Sequence, residues 1–258
     1  MIRPFVKRAW RVGRRYYGIW LAVSLALTAI LVVIFGLILY TVSPEALREE
    51  ASTLGVPLEV AYTNFKAMVA LLFSILMGLS ASTVAAMVAG GSIQADIRNG
   101  VYELLFGNGV SPGQVAKALL ATSLSAAAAL CLFTAAALAI VITAVAPEAY
   151  VILPTLVLAP LACLVSGAVL IVAVGLAKPN TFKIATGIGA TKNLAYTIAT
   201  APGVALTFIL VPFMATMDLS TATFVTSLIS AAVIAASVGL IFLTPRLVNT
   251  EELVTQAE

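Results

Sequence analysis

The side chains best suited to chemistry lie in one short polar segment, residues 91–117, between two long apolar runs. Its charged and amide residues include Asp96, Arg98, Asn99, Glu103 and Asn108. Its apolar residues, Ile97, Val101, Leu104, Leu105 and Phe106, recur at the three- and four-residue spacing of one helix face. The segment is too short and too charged to cross a bilayer. The pattern predicts an amphipathic helix that lies in the membrane interface or presses on a partner protein.

Several residue types that enzyme active sites commonly use are missing from the chain, which makes an integral membrane enzyme the least favoured class. It has no histidine, the commonest metal ligand and the usual proton shuttle at neutral pH. It has no acidic pair or Cys–His cluster near a bilayer face, and no GxxxxGK[ST] loop for nucleotide phosphates. Cys131 and Cys163 sit inside apolar runs, which indicates packing rather than reactivity. We therefore expect no enzyme activity, metal or cofactor in this chain.

The elements that position the polar segment are apolar helices. Hydrophobic residues make up 62% of the chain, charged residues only 10%, and the mean hydropathy is +1.11. Soluble domains carry about 25% charged residues, so the composition predicts an integral membrane protein. Alternating ten-residue strands are not visible, which favours helices over a barrel.

Uncharged runs of the right length predict six spans. The runs cover about residues 19–41, 67–89, 118–145, 151–177, 195–217 and 222–243. Pro202 and Pro212 should kink or break the fifth run, since proline lacks the amide hydrogen of a continuous helix. Residues 210–223 are predicted to form either a re-entrant turn or an ordinary kinked span.

The first eighteen residues carry six basic side chains and no acid, with aromatic residues between them. A cleaved signal peptide does not fit, because no small-residue cleavage site appears near Tyr40. A nucleic-acid site is disfavoured, since the patch runs straight into a span. Residues 1–18 are predicted to be an interfacial helix on anionic lipid headgroups. Its anchors would be Arg8, Trp10, Arg11, Arg14 and Arg15.

Orientation follows from the basic residues. With a cytoplasmic N-terminus, twelve of the 14 Lys and Arg residues fall on the cytoplasmic side. Only Arg48 and Lys66 fall on the other side, with Lys66 at a membrane edge. This positive-inside bias predicts that both termini and the polar segment are cytoplasmic, in a multi-pass protein of the cell membrane.

None of the six runs contains a Lys, Arg, Asp or Glu in its interior, which argues against an ion-coupled carrier or a charged selectivity filter. The remaining polarity is mild: Ser74, Ser80, Ser82, Thr83, Ser123, Ser125 and Thr207. Small hydroxyl residues mostly let membrane helices pack closely and share hydrogen bonds. Helix packing is therefore favoured over substrate contact for these positions.

The polar segment and the six-span layout together resemble ABC-2-type transporter permeases, the membrane subunits of type II ABC exporters. Members carry an acidic–basic cluster, then Gly-Thr-x-Glu-x-Leu, a Pro-(Val/Ile)-Ser turn and a Gly-Lys that opens the third span. The matching residues are Asp96, Arg98, Gly100, Glu103, Leu105, Val110, Ser111 and Lys117. The sequence departs from the pattern at Val101, Gly109 and Ala116, where Thr, Pro and Gly are usual. The order of the predicted spans extends the resemblance over nearly the whole chain, but the matching residues lie only in this segment.

The resemblance implies one permease domain over residues 1–258, with residues 92–116 as a cytoplasmic coupling helix between spans two and three. That helix would dock on a separate ATP-binding subunit, which holds ATP and Mg²⁺. The implied coupling residues are Asp96, Ile97, Arg98, Gly100, Val101, Glu103, Leu104 and Leu105. The family works as homo- or heterodimers, with spans two and five along the path. Ser80, Ser82, Thr83 and Thr207 thereby become candidate substrate contacts.

The expected function is export of a lipidic, amphipathic or drug-like molecule, since the spans are uncharged. The expected partners are an ATP-binding subunit, a second permease chain and membrane lipids, with no nucleic acid. Two alternatives stay open at this point: a regulator or scaffold of the same fold that transports nothing, and an uncoupled channel or carrier.

Overall fold

Long helices that alternate in direction make up the computed structural model, which describes residues 2–145, 147–179, 192–216 and 219–255. All secondary structure within these ranges is helical. The helices are α1 (Ile2–Thr41), α2 (Arg48–Leu54), α3 (Leu58–Arg98), α4 (Val101–Gly107), α5 (Pro112–Val145), α6 (Leu153–Ala177), α7 (Lys192–Thr216), α8 (Leu219–Leu247) and α9 (Thr250–Thr255). Short 3₁₀ turns, Pro44–Leu47 and Pro147–Ile152, precede α2 and α6.

Four helices of the described ranges are long and apolar enough to cross a membrane. They are Leu58–Arg98, Pro112–Ala144, Tyr150–Ala177 and Leu219–Leu247. A fifth candidate is the pair Leu25–Thr41 and Pro44–Thr53, which meet at 83°. The apolar part of α7, Thr197–Ile209, is shorter than these candidate spans. The prediction of an all-α membrane protein is therefore confirmed in its coarse form, and the count of six spans stays a prediction.

Two helices extend beyond the predicted spans. α1 runs without a break from Ile2 to Thr41, so the basic segment and the first apolar run share one helix. α3 passes through Gly90 and Gly91 and ends only at Arg98. Its 41 residues rise about 60 Å, roughly twice the hydrocarbon thickness of a bilayer. α3 therefore carries the start of the polar segment well beyond a membrane core.

Prolines are accommodated inside the helices. Pro154 lies in the first turn of α6, where its missing amide costs no hydrogen bond, and Pro160 lies in the interior. α7 is continuous through Pro202 and Pro212 to Thr216. The predicted re-entrant turn depends on residues 217 and 218, which lie outside the described ranges.

The core of the bundle is built on α3 and α6, which pack against each other along their length. α3 also packs on α1, α5 and α7, and α6 on α5, α7 and α8. One cluster of buried residues lies at the end that carries α4, and it includes Ile97, Tyr102, Leu119 and Leu176. A second cluster lies at the opposite end and includes Phe35, Ala70, Ile142 and Leu156. The cluster at the α4 end draws residues from α3, α5 and α6, so α4 packs against several helices at once.

Candidate functional site

The polar segment folds as a short helix held between two tight turns. α3 ends at Arg98, and Gly100 has a left-handed φ of 60°. α4 follows, and a second left-handed glycine, Gly109 with φ of 76°, separates it from α5. A side chain at φ near +60° is strained for most residues. The two glycines therefore allow the chain to reverse direction twice without a long linker.

Ser111 and Gln114 fix the start of α5 through a reciprocal capping box. The Ser111 backbone N–H donates to Gln114 Oε1 at 3.1 Å, and the Gln114 N–H donates to Ser111 Oγ at 3.4 Å. Pro112 occupies the first helical position, where proline is favoured. A turn built on Gly109, Ser111 and Pro112 thus replaces the Pro-Val-Ser turn of the resemblance.

One side of the segment is buried in the bundle. Ile97 is 4% exposed and Val101 8%, and Tyr102 is fully buried. The Tyr102 ring stacks on Phe106 with centroids 6.1 Å apart. Leu105 and Phe106 are half-buried against the same cluster. The apolar residues predicted to share one helix face are divided between α3 and α4 at Gly100, and all of them except Leu104 pack on the protein's own core.

The opposite side of the segment is open to its surroundings. Arg98, Glu103 and Asn108 are exposed, and Leu104 is an apolar side chain with 65% of its surface exposed. Asn108 Nδ2 donates to the Leu104 carbonyl at 2.6 Å, which stabilises the end of α4. A small surface with one apolar side chain and two opposite charges results.

Asp96 lies on the buried side. The sequence grouped it with Arg98 and Glu103, but only 3% of its surface is exposed. It lies three and four residues after buried Ile93 and Ser92, so it shares their core-facing side of α3. Among the eight residues predicted to couple, only Arg98, Glu103 and Leu104 are exposed.

The candidate path residues hold hydrogen bonds to backbone carbonyls. Ser82 is fully buried, and its Oγ donates across to the Ala199 carbonyl of α7 at 2.8 Å. Ser80, Thr83 and Thr207 are half-buried and donate to carbonyls of their own helices, four residues earlier. Ser82 thus joins two helices, while the other three leave part of the side chain accessible.

Packing by small polar residues is supported elsewhere in the bundle. Ser74 Oγ donates to the Leu156 carbonyl of α6 at 3.0 Å, and Ser123 Oγ to the Ala85 carbonyl of α3 at 2.7 Å. Ser125 Oγ donates to Thr122 within α5. Hydrogen bonds of this kind join membrane helices whose apolar surfaces alone give little preference for one another over lipid.

The predicted interfacial anchors all fall on α1. Arg11 is exposed, and Lys7 nearby is exposed as well. The side chains of Arg8, Trp10, Arg14 and Arg15 lie outside the described part of the structure. Their role as lipid anchors stays a prediction.

Tyr102 and Leu253, both at this end, are among the residues that the sequence did not single out. Both are buried in the cluster that holds α4. Leu253 belongs to α9, which contacts α4. A helix-start pattern, Thr250 followed by Glu251 and Glu252, was present in the tail and could have indicated α9.

No group of three His, Cys, Asp or Glu side chains suited to a metal ion occurs in the part of the chain that the structure describes. Comparison of the chain with protein-family models, with curated proteins and with solved structures finds no match. Function therefore has to be argued from the geometry around α4 and from the residues of the polar segment.

Proposed function

We propose that this chain is the membrane-spanning permease subunit of an ATP-driven ABC exporter. In this proposal α4 is the contact to a separate ATP-binding subunit, which holds ATP and Mg²⁺. The observation that carries it is the join between α4 and its neighbours: turns of a few residues connect it directly to α3 and α5. Residues 96–117 resemble the coupling segment of ABC-2-type permeases, and this resemblance supports a role for the connection in transmitting movement from an ATP-binding subunit.

The connection suits transmission of movement. Tyr102 and Ile97 pack in one cluster with residues of α5 and α6, so a displaced α4 carries the ends of three helices with it. Packed elements tend to switch between discrete arrangements rather than bend continuously. When two ATP-binding subunits close on ATP, the movement of α4 would thus be transmitted to the helices of the bundle without a flexible linker between them.

The docking contact is assigned to the exposed side of α4. Leu104 provides an apolar anchor, and Arg98 and Glu103 provide charges of both signs that would set register with the partner. Asp96, Ile97 and Val101 are assigned a structural role instead. Their burial suits them to hold α4 on the bundle rather than to touch the ATP-binding subunit.

The substrate is proposed to be lipidic, amphipathic or drug-like, moving outward along the interface of two permease chains. The half-buried hydroxyls of Ser80, Thr83 and Thr207 are candidate contacts along that path. Ser82 would reach it only when α3 and α7 separate, since its hydroxyl bonds to Ala199 in this conformation. The chain would lie in the cell membrane with both termini cytoplasmic.

The direct test is purification of the tagged full-length chain from its own cells in mild detergent. We expect an ATP-binding subunit with a P-loop to accompany it in stoichiometric amount, and substrate to stimulate its ATP hydrolysis after reconstitution. Bound molecules identified by mass spectrometry would name the substrate class. Recovery of the chain with no P-loop protein, or transport without ATP, would favour an uncoupled channel or carrier instead.

The double variant Arg98→Ala, Glu103→Ala tests the docking surface itself. Both side chains are exposed, so the variant should insert and fold normally while substrate-stimulated ATP hydrolysis falls. A matched control is the double variant Arg48→Ala, Glu49→Ala, which removes two exposed charges of opposite sign at the other end of the bundle. Unchanged stimulation and transport in the Arg98→Ala, Glu103→Ala variant would overturn the assignment of α4.

A further inference from the structure

The chain after α8 turns back across the bundle and reaches α4. We call residues 248–255 the tail strap. The Asn249 backbone N–H donates to the Leu176 carbonyl at the end of α6, at 3.0 Å. Asn249 Oδ1 then accepts from the Glu252 N–H at 3.2 Å and caps α9. The strap is therefore tied to α6 before it meets α4.

Leu253 is the point of contact with the docking segment. It is 1% exposed and belongs to the same buried cluster as Ile97, Tyr102 and Leu176. α9 packs on α4 directly. The cluster thus joins Leu253, with partly buried Val248 beside it, to the ends of α3, α4 and α6.

α4 needs such support. It has seven residues, far below the length at which an isolated helix is stable in water. Glycines with left-handed φ stand on both sides of it, at Gly100 and Gly109. Its conformation therefore depends on what packs against Val101 and Tyr102 rather than on its own hydrogen bonds.

We propose that Leu253 is a positioning residue for α4: the tail strap holds α4 in the orientation that exposes Arg98, Glu103 and Leu104 to the ATP-binding subunit. This inference rests on the proposed function, because it assigns a purpose to that orientation. Loss of the strap would let α4 open from the bundle and lower the fraction of chains ready to dock. Affinity for the partner then falls by that fraction, while the maximal rate of the docked complex is kept.

The first measurement is hydrogen exchange of the full-length chain in detergent, which needs no partner. Leu253→Asp and a truncation after Leu247 should raise the exchange rate of the α4 amides, residues 101–107, by about tenfold, with residues 162–172 of α6 unchanged. Leu253→Met, which keeps an apolar side chain, should behave as wild type. The matched control is a truncation after Thr255, which leaves the strap whole. Equal α4 exchange in Leu253→Asp and wild type would overturn the inference.

The second measurement uses the ATP-binding subunit that accompanies the wild-type chain. Leu253→Asp should raise the permease concentration for half-maximal stimulation of ATP hydrolysis by about tenfold and leave the rate at saturation unchanged. Faster α4 exchange with an unchanged half-maximal concentration would overturn the positioning role. Failure of the proposed function would appear separately, as a wild-type chain that stimulates no ATPase.

Discussion

Ser74 Oγ donates a hydrogen bond of 3.0 Å to the Leu156 carbonyl, joining α3 to α6. In a regular helix that carbonyl would accept from the amide of residue 160, but residue 160 is proline and has no amide hydrogen. A serine of one helix therefore replaces the donor that the other lacks. Gly78, one turn further along α3, lets Pro160 approach closely, since a methyl group on Gly78 would lie 2.6 Å from Pro160 Cα.

Ser74→Ala should destabilise the bundle because the buried Leu156 carbonyl loses its side-chain donor. We expect the free energy of unfolding in mixed micelles to fall by about 1 kcal/mol. In a Pro160→Ala background the new amide can serve the Leu156 carbonyl, so the same serine substitution should cost almost nothing. Equilibrium unfolding of the wild type, the two single variants and the double variant gives the coupling free energy between Ser74 and Pro160.

The control for this cycle is Ser80→Ala, since Ser80 Oγ donates to the Leu76 carbonyl of its own helix and joins no second helix among the described residues. That variant should be near neutral. Equal losses from Ser74→Ala in both backgrounds would mean that the serine does not compensate for the proline.

Gly167 marks a close approach of α6 to α3 and α7. A methyl group there would collide with Ser82 Oγ and lie 2.6 Å from the Ala199 carbonyl oxygen. Gly167→Ala should therefore lower the free energy of unfolding by about 1–3 kcal/mol, the usual result of overpacking. Gly239→Ala is the matched control, because a methyl group on Gly239 meets nothing within 4 Å. Thermal unfolding midpoints that shift alike in the two variants would contradict this junction.

The membrane class and the helical architecture were predictable because composition and apolar run length report them directly. So was the packing role of Ser74 and Ser123, since small hydroxyls rarely have another use between helices. Helix ends were less predictable. Gly90 and Gly91 suggested that α3 stops there, but buried Ile93 and Ile97 extend its core face to Arg98.

The orientation of the polar segment could not be read from its own residues. Helical spacing groups Ile97, Val101 and Leu105 on one side, yet whether that side meets a partner or the bundle depends on distant segments. Leu176 and Leu253 complete the cluster from residues far along the chain. Leu253 and Val254 are adjacent in a short, mostly polar tail, so no three- or four-residue spacing indicated a buried face there.

The orientation of the chain can be tested with single cysteines. Asn108 and Ser52 are both exposed, at opposite ends of the bundle. The native Cys131 and Cys163 are buried, so background labelling should be low. A membrane-impermeant maleimide should label Ser52→Cys in intact cells and Asn108→Cys only after permeabilisation. The reverse pattern would place α4 outside the cell and end the case for an ATP-binding partner.

Variants of Leu104 and Ile97 distinguish an effect on docking from an effect on folding. Leu104 is 65% exposed, so Leu104→Ser should change the free energy of unfolding by no more than about 0.5 kcal/mol. Removal of an apolar anchor at an interface should still weaken stimulation of the co-purified ATPase by about tenfold. Ile97 is 4% exposed, and Ile97→Ser should cost about 3 kcal/mol or more through a cavity and a buried hydroxyl. If Leu104→Ser left stimulation intact, the exposed side of α4 would not be the contact.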